Sequence, residues 1–252
     1  MRISTLFFDL GSTLVYSKDP WPPIYDLADR ALINALTRSG IGIDSADINT
    51  EFGGFIRSYY DRPAIDNIEP TSFAILRDLL IRKGIKNVPE SVLRSALEAM
   101  YAVTQQNWIL EEDAPSTLEI LKSRGYQMGL ISNTSDAINV QGIVDRWNLR
   151  SFFDIIVTSA ALGVRKPDVR IFQAALDHFH VPPGAAAMVG DMLNADILGA
   201  NLSGIYSIWI TRRARMPEDG DLVIQPQAVV AALSQIPDLL AEIGNDPGAG
   251  LT

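Results

Sequence analysis

Five short, nearly continuous apolar runs punctuate the chain: Ile3 to Phe8, Met128 to Ile131, Phe153 to Val157, Ala187 to Val189 and Ile205 to Ile210. Rich in β-branched and aromatic residues, they have the length and character of strands buried on both faces. Helical spacing separates the later runs. Leu118, Ile120 and Leu121 precede the second. Ile171, Phe172, Ala175, Leu176 and Phe179 lie between the third and fourth, and Ile197, Leu198 and Ala200 precede the fifth. Gly84, Gly125 and Gly204 stand where these and other helices should stop. Alternation of strand and helix predicts a doubly wound, Rossmann-like parallel sheet, an α/β fold with helices on both faces. In such a sheet the functional loops lie beyond the carboxyl ends of the strands, where Asp9, Ser132 and Asp191 fall.

From about residue 17 to 108 the alternation breaks. Three helical stripes occupy this stretch: Ile24, Leu27, Ala28, Ala31, Leu32 and Leu36; Phe73, Leu76, Leu79 and Leu80; Val92, Leu93, Leu97 and Met100. Thr71 after Pro70 has the place of an N-cap. The expected organisation is a helical lobe, residues 17–108, inserted after the first strand of a core formed by 1–16 and 109–252. Pro237 to Ile243 is expected to form a last helix, and Asn245 to Thr252 to fray.

Composition narrows the function. About half of the 252 residues are apolar, so a sizeable core is available. The absence of cysteine excludes disulfides, thiolate metal sites and a cysteine nucleophile. The first strand begins almost at Met1, which leaves no room for a signal peptide, and no apolar run reaches membrane-spanning length; a soluble, cytoplasmic protein is expected. A net charge of −9 argues against a nucleic-acid partner. The basic patch Arg212, Arg213 and Arg215 reads as a solvated loop, with a rim attracting an anionic substrate as the alternative.

Candidate chemistry gathers at the strand ends. The run Leu6-Phe7-Phe8 ends in Asp9-Leu10-Gly11-Ser12-Thr13-Leu14, and Val189-Gly190 ends in Asp191, with Asp196 five residues on. Two carboxylates at neighbouring strand ends can share a divalent cation. A lone Asp there is more often a turn or cap residue; two such sites, with Leu130-Ile131-Ser132-Asn133 and Gly163-Val164-Arg165-Lys166-Pro167-Asp168 between them, are harder to dismiss.

These four motifs, in this order, resemble those of the haloacid dehalogenase-like hydrolases, and the inserted lobe resembles that family's helical C1-type cap. The resemblance implies that Asp9 is a nucleophile forming an aspartyl-phosphate, and that Mg²⁺ is held by Asp9, Asp191, Asp196 and the backbone carbonyl of Gly11. It also implies that Ser132 and Asn133 bind the phosphoryl oxygens and that Lys166 supplies positive charge between nucleophile and phosphate. The implied substrate is a small phosphorylated metabolite; oligomeric state is left open. Gly11 departs from the pattern, because phosphatases of this family carry there a second Asp that protonates the leaving oxygen and activates water. Losing such a group typically lowers rates ~10²–10⁴-fold, and Asp19 in the adjoining flap segment is a weak substitute. Phenolic esters, whose leaving group needs little protonation, should then be favoured over alkyl phosphates.

Three alternatives follow from that glycine: a catalytically reduced member binding a phosphoryl ligand or protein partner, a haloacid dehalogenase, and a phosphonate hydrolase needing a Schiff-base lysine from Lys18, Lys83 or Lys86. His178 and His180 read as structural or exposed, and Trp21, Trp108, Trp147 and Trp209 as packing. Arg57, Tyr59, Tyr60 and Arg62 are as consistent with a surface helix and loop as with substrate contact.

Overall fold

The structure, a computed structural model, describes residues 3–59, 67–216 and 224–245. Tyr60, Arg62 and the tail beyond Asn245 lie outside them. The described residues form eight strands: β1 (Thr5–Phe8), β2 (Val15–Ser17), β3 (Trp108–Leu110), β4 (Gln127–Ser132), β5 (Ile155–Thr158), β6 (Ala186–Gly190), β7 (Tyr206–Ile210) and β8 (Ala228–Val230). Six form one sheet in the order β5-β4-β1-β6-β7-β8, every pair parallel. All five sequence-predicted strands are there. The sixth, β8, was not predicted: Ala228-Val229-Val230 is too short to show a period, and as an edge strand it need bury only one side.

Side chains alternate across the sheet with the period of two that a strand imposes. Leu6 and Phe8 face one layer with Met128, Leu130, Ala187, Val189, Ile208 and Ile210. There they pack on the helices Ala114–Ser123, Ala137–Arg146 and Ile236–Asn245. Phe7, Ile131, Val157 and Met188 face the other, under the helix Val169–Phe179, whose Ile171, Phe172, Ala175, Leu176 and Phe179 are all buried. Both faces are therefore covered, which is why these runs read as continuous apolar stretches.

The helices Trp21–Arg38, Ser72–Arg82 and Glu90–Thr104 enclose a separate apolar cluster that includes Leu32, Leu36, Phe52, Leu76, Leu79, Leu97 and Met100. Thr71 caps the second of them, accepting from the Ala74 N–H at 3.2 Å. Two stripe residues miss the core. Leu27 is 51% exposed and, in the helix before β4, Ile120 is 42% exposed. Each sits one residue, about a 100° turn, from the buried Ala28 and Leu121. Gly84, Gly125 and Gly204 do end helices, with φ of +81°, +83° and +71°, a left-handed conformation that glycine adopts without strain.

Two features tie the lobe to the sheet. β2 and β3 pair antiparallel, Val15 opposite Leu110 and Ser17 opposite Trp108, and form the stem through which the chain leaves and returns. Farther out, Ile68 bridges Val164, the Glu69 N–H donates to the Gly163 carbonyl at 3.0 Å, and the Arg165 N–H donates to the Asn67 carbonyl at 2.9 Å. The lobe is thus stitched to the loop that carries Lys166.

Candidate active site

Register brings the motifs together. Phe8 lies between Leu130 of β4 and Val189 of β6, so the three strands end together at one carboxyl edge of the sheet. Asp9 follows β1 there, with its N–H donating to the Val189 carbonyl at 2.9 Å. Ser132 ends β4 and Asp191 follows β6. After Asp9 the chain reverses tightly: the Leu14 and Val15 N–H groups both donate to the Leu10 carbonyl, and Ser12 takes a φ of +59°.

Lys166 is the hub. Its ammonium is 2.6 Å from Asp9 Oδ1, 2.6 Å from Asp196 Oδ1 and 2.8 Å from the Ile131 carbonyl, and the residue is only 3% exposed. Three acceptors match the three protons of an ammonium. Burial alone would favour its neutral form, but Asp196 and Asp9 outweigh this and hold it charged. Asp196 reaches the hub because Gly190 has no side chain: a Cβ there would lie 2.3 Å from Asp196 Cγ. The second Asp196 oxygen accepts the Met192 N–H at 2.9 Å, so this carboxylate also fixes the turn after Asp191.

Asp9, Asp191 and Asp196 each place one carboxylate oxygen within 4.8 Å of the others. Burial, together with the Asp196 charge, raises Asp9 to about 6 against the pull of Lys166. Asp191 rises to about 8, through burial and then the charges of Asp196 and Asp9. The crevice thus holds more negative charge than Lys166 balances.

Other predicted positions resolve differently. The Asn133 side chain faces the lysine loop, with Oδ1 accepting the Lys166 N–H at 2.8 Å and Nδ2 donating to the Lys166 carbonyl at 3.0 Å. Asp19 is exposed, its backbone clamped by Asn107. His178 and His180 are exposed. Arg212 pairs with Glu111 and Asp113, and Arg213 with Glu111, which supports the solvated-loop reading of the patch. Lys18, Lys83 and Lys86 are exposed, and Asp47 and Glu51 hold Lys83 above its usual range, the reverse of what a Schiff-base lysine needs.

Sequence reasoning missed two supports. Trp209 Nε1 donates to the Asp191 carbonyl at 2.8 Å, and Thr13 Oγ1 donates to Asp191 Oδ1 at 3.4 Å. Neither residue carries a local signal; each acts only because β7 and the β1 turn flank β6. Trp21 and Trp108 pack edge-on against each other as expected, with centroids 5.1 Å apart, yet both also line a cavity between the lobe and residues 134–139. Trp108 stands over Gly11: a Cβ on the glycine would meet the indole Cη2 at 3.4 Å.

The model of the family described as "Hydrolase: haloacid dehalogenase-like hydrolase" matches residues 3–204. The chain is 29% identical to the glyceraldehyde 3-phosphate phosphatase of Pyrococcus furiosus, over 97% of this chain and 96% of that protein. It is 30% identical to the glyceraldehyde 3-phosphate phosphatase of Methanothermobacter thermautotrophicus, over 82% and 85%. The crystal structure of 2-haloacid dehalogenase from Pseudomonas syringae pv. Tomato DC3000 superposes with a TM-score of 0.66 at 24% identity, covering 95% of this chain and 99% of that one, a likeness of fold. With the four motifs assembled at one sheet edge and the match running through all of them, the chain belongs to the haloacid dehalogenase-like hydrolases.

Proposed function

We propose that the protein is a Mg²⁺-dependent phosphatase of small phosphorylated metabolites, acting through an aspartyl-phosphate on Asp9. The observation that carries this reading is the buried set of Asp9, Asp191 and Asp196 around a single lysine at the carboxyl edge of the sheet. Three carboxylates against one ammonium leave a deficit of about two positive charges when all are ionised, the donor set of a hard divalent cation. Asp9, Asp191 and Asp196 would hold Mg²⁺ with the Gly11 carbonyl, and the bound ion would neutralise charge on the transferred phosphoryl group.

With Oδ1 held by Lys166, Asp9 presents Oδ2 to phosphorus. A new Asp9 O–P bond forms as the ester P–O bond breaks, and its electron pair leaves with the ester oxygen. Water then attacks the phosphorus of the intermediate, releasing inorganic phosphate and freeing Asp9. Lys166 balances charge on the phosphoryl oxygens, and the Ser132 hydroxyl and the backbone of Asn133 donate to them. The Asn133 side chain serves the same end indirectly, by fixing the backbone of Lys166. Gly11 leaves the first step without a protein acid and the second without a protein base, so turnover is slow for poor leaving groups. Residues 17–108 act as the cap over the site, and the setting is cytoplasmic.

The test is a phosphate-ester panel with and without Mg²⁺, starting from glyceraldehyde 3-phosphate because the relatives reported above are named for its hydrolysis. Expected results are Mg²⁺-dependent release of phosphate, its loss in Asp9→Asn, and a beryllofluoride adduct on Asp9. An absence of both turnover and adduct overturns the reading and leaves a binding protein.

A further inference from the structure

Resting on the phosphatase reading, we infer that Glu69, in the inserted lobe, is a positioning residue for the phosphate-binding loops and acts on Lys166 through Arg165. Residues 67–72 run as a strap across the two loops proposed to hold the phosphoryl group. At one end the Asn67 carbonyl accepts the Arg165 N–H, and the Glu69 N–H donates to the Gly163 carbonyl. At the other end the Ser72 N–H and hydroxyl both donate to the Ser135 carbonyl, at 2.9 and 3.0 Å. Lys166 follows the first contact directly, and Ser132 and Asn133 shortly precede the second.

Glu69 lies in the middle of this strap with its side chain fully buried. One carboxylate oxygen, Oε2, accepts from the Tyr59 hydroxyl at 2.6 Å and stands 4.0 Å from Arg165 Nε. The Arg165 guanidinium in turn lies over the Tyr59 ring, 4.6 Å from its centroid. The three side chains therefore form a closed set in which each touches the other two. With only 11% of its side chain exposed, Arg165 has in Glu69 a counter-charge that water does little to replace.

The other oxygen, Oε1, is buried and has no hydrogen bond among the described residues. The neighbouring Ser159 hydroxyl does not fill it. Its one proton goes to the Thr134 carbonyl at 3.1 Å, while its oxygen accepts the Thr134 N–H at 2.8 Å. An orphaned buried oxygen costs stability, and an apolar side chain would avoid that cost. Packing alone therefore does not account for a carboxylate here. What it supplies is charge and direction, fixing the guanidinium of the residue next to Lys166. That lysine has little slack, because its ammonium meets Asp9, Asp196 and the Ile131 carbonyl at once.

The test is Glu69→Gln, which keeps the shape and an acceptor for Tyr59 while removing the charge. Assayed at a temperature where its melting curve shows it folded, the variant should lower kcat for a phosphate ester by about tenfold or more, since a misplacement of ~1 Å can cost ~10²-fold. The dissociation constant of inorganic phosphate, measured by calorimetry with Mg²⁺ present, should rise by roughly threefold or more as the displaced ammonium loses part of a charge-assisted contact. Arg165→Met should produce the same losses. The double variant should lose no more than the worse single one, because partners that act as a unit are not additive. A folded Glu69→Gln protein with wild-type kcat and phosphate affinity makes Glu69 a stability residue and overturns the inference. Additive losses in the double variant overturn it too, by separating Glu69 from Arg165. Both results leave the phosphatase reading standing. A wild-type protein that turns over no ester, binds no phosphate and forms no beryllofluoride adduct on Asp9 overturns that reading, and the role of Glu69 falls with it.

Discussion

Replacing Lys166 with Met should destabilise the protein in a way that depends on pH, and the structure supplies the sign. The ammonium holds Asp9 and Asp196 at 2.6 Å each, nearly out of contact with solvent. Methionine preserves much of the stem volume and removes the charge, leaving three neighbouring buried carboxylates with no cation. Breaking a buried ion pair by removing one partner costs about 3–5 kcal/mol. The carboxylates can escape part of this by taking up protons. Asp9 and Asp191 already stand at about 6 and about 8 in the folded protein, against ~3.9 for an unfolded Asp. A raised folded value means that ionisation opposes folding, with no penalty below about pH 4 and a growing one as pH rises through the folded value. Removing Lys166 raises Asp9 and Asp191 further, so the variant's extra loss is small near pH 5 and fullest at pH 8 and above. At about 2–4 °C per kcal/mol for a chain of this size, Tm should fall by roughly 6–20 °C at pH 8. Thermal unfolding of both proteins in chelator across pH 5–8 measures it. A fall in Tm equal at both ends of that range, or larger at pH 5, would refute the electrostatic account.

Three further outcomes are expected. Gly11→Asp alone should gain little alkyl-phosphate turnover, because its carboxylate must share space with the Trp108 ring at 3.4 Å from Cβ. Combined with Trp108→Leu it should gain about 10²-fold or more, toward the range of a working acid–base; equal gains in both variants would remove Trp108 from the explanation. Since Mg²⁺ binds ionised carboxylates and burial raises Asp9 and Asp191, the Tm increase produced by Mg²⁺ should grow from pH 5 to pH 8; a flat response would place the ion elsewhere. Asn133→Ala deletes both side-chain bonds to the Lys166 backbone, at a cost of about 1–3 kcal/mol for the groups left unpaired. It should lower kcat more than tenfold with a smaller change in KM, and an unaltered kcat would show that the lysine loop holds its place without it.

The sheet was legible because its strands are buried on both faces, and a buried run such as Leu6-Phe7-Phe8 leaves a pattern in its own composition. Strands stabilised mainly by their neighbours leave no such pattern. β2, β3 and β8, three residues each, are too short to show one. The same division runs through the site. Asp9, Lys166 and Asp191 are marked by their place at strand ends and in an ordered motif series. Trp209 and Thr13 support Asp191 across sequence separations of 18 and 178 residues, which no local pattern encodes. Asn133 shows the limit most clearly. The resemblance implies a phosphate contact there, and only the fold adds that its side-chain amide is taken up by the backbone of Lys166.

The stitch between residues 67–69 and 163–165 bears on how the molecule could be dissected or evolve. Lys166 follows directly on a segment whose pairing partner belongs to the helical lobe. Excising that lobe to obtain a minimal core, or exchanging it for a relative's to change specificity, would therefore alter the scaffolding of the lysine as well as the roof of the pocket. A successful chimera has to carry residues 67–69 with the recipient loop, and a chimera that folds yet is silent points first to a misplaced ammonium.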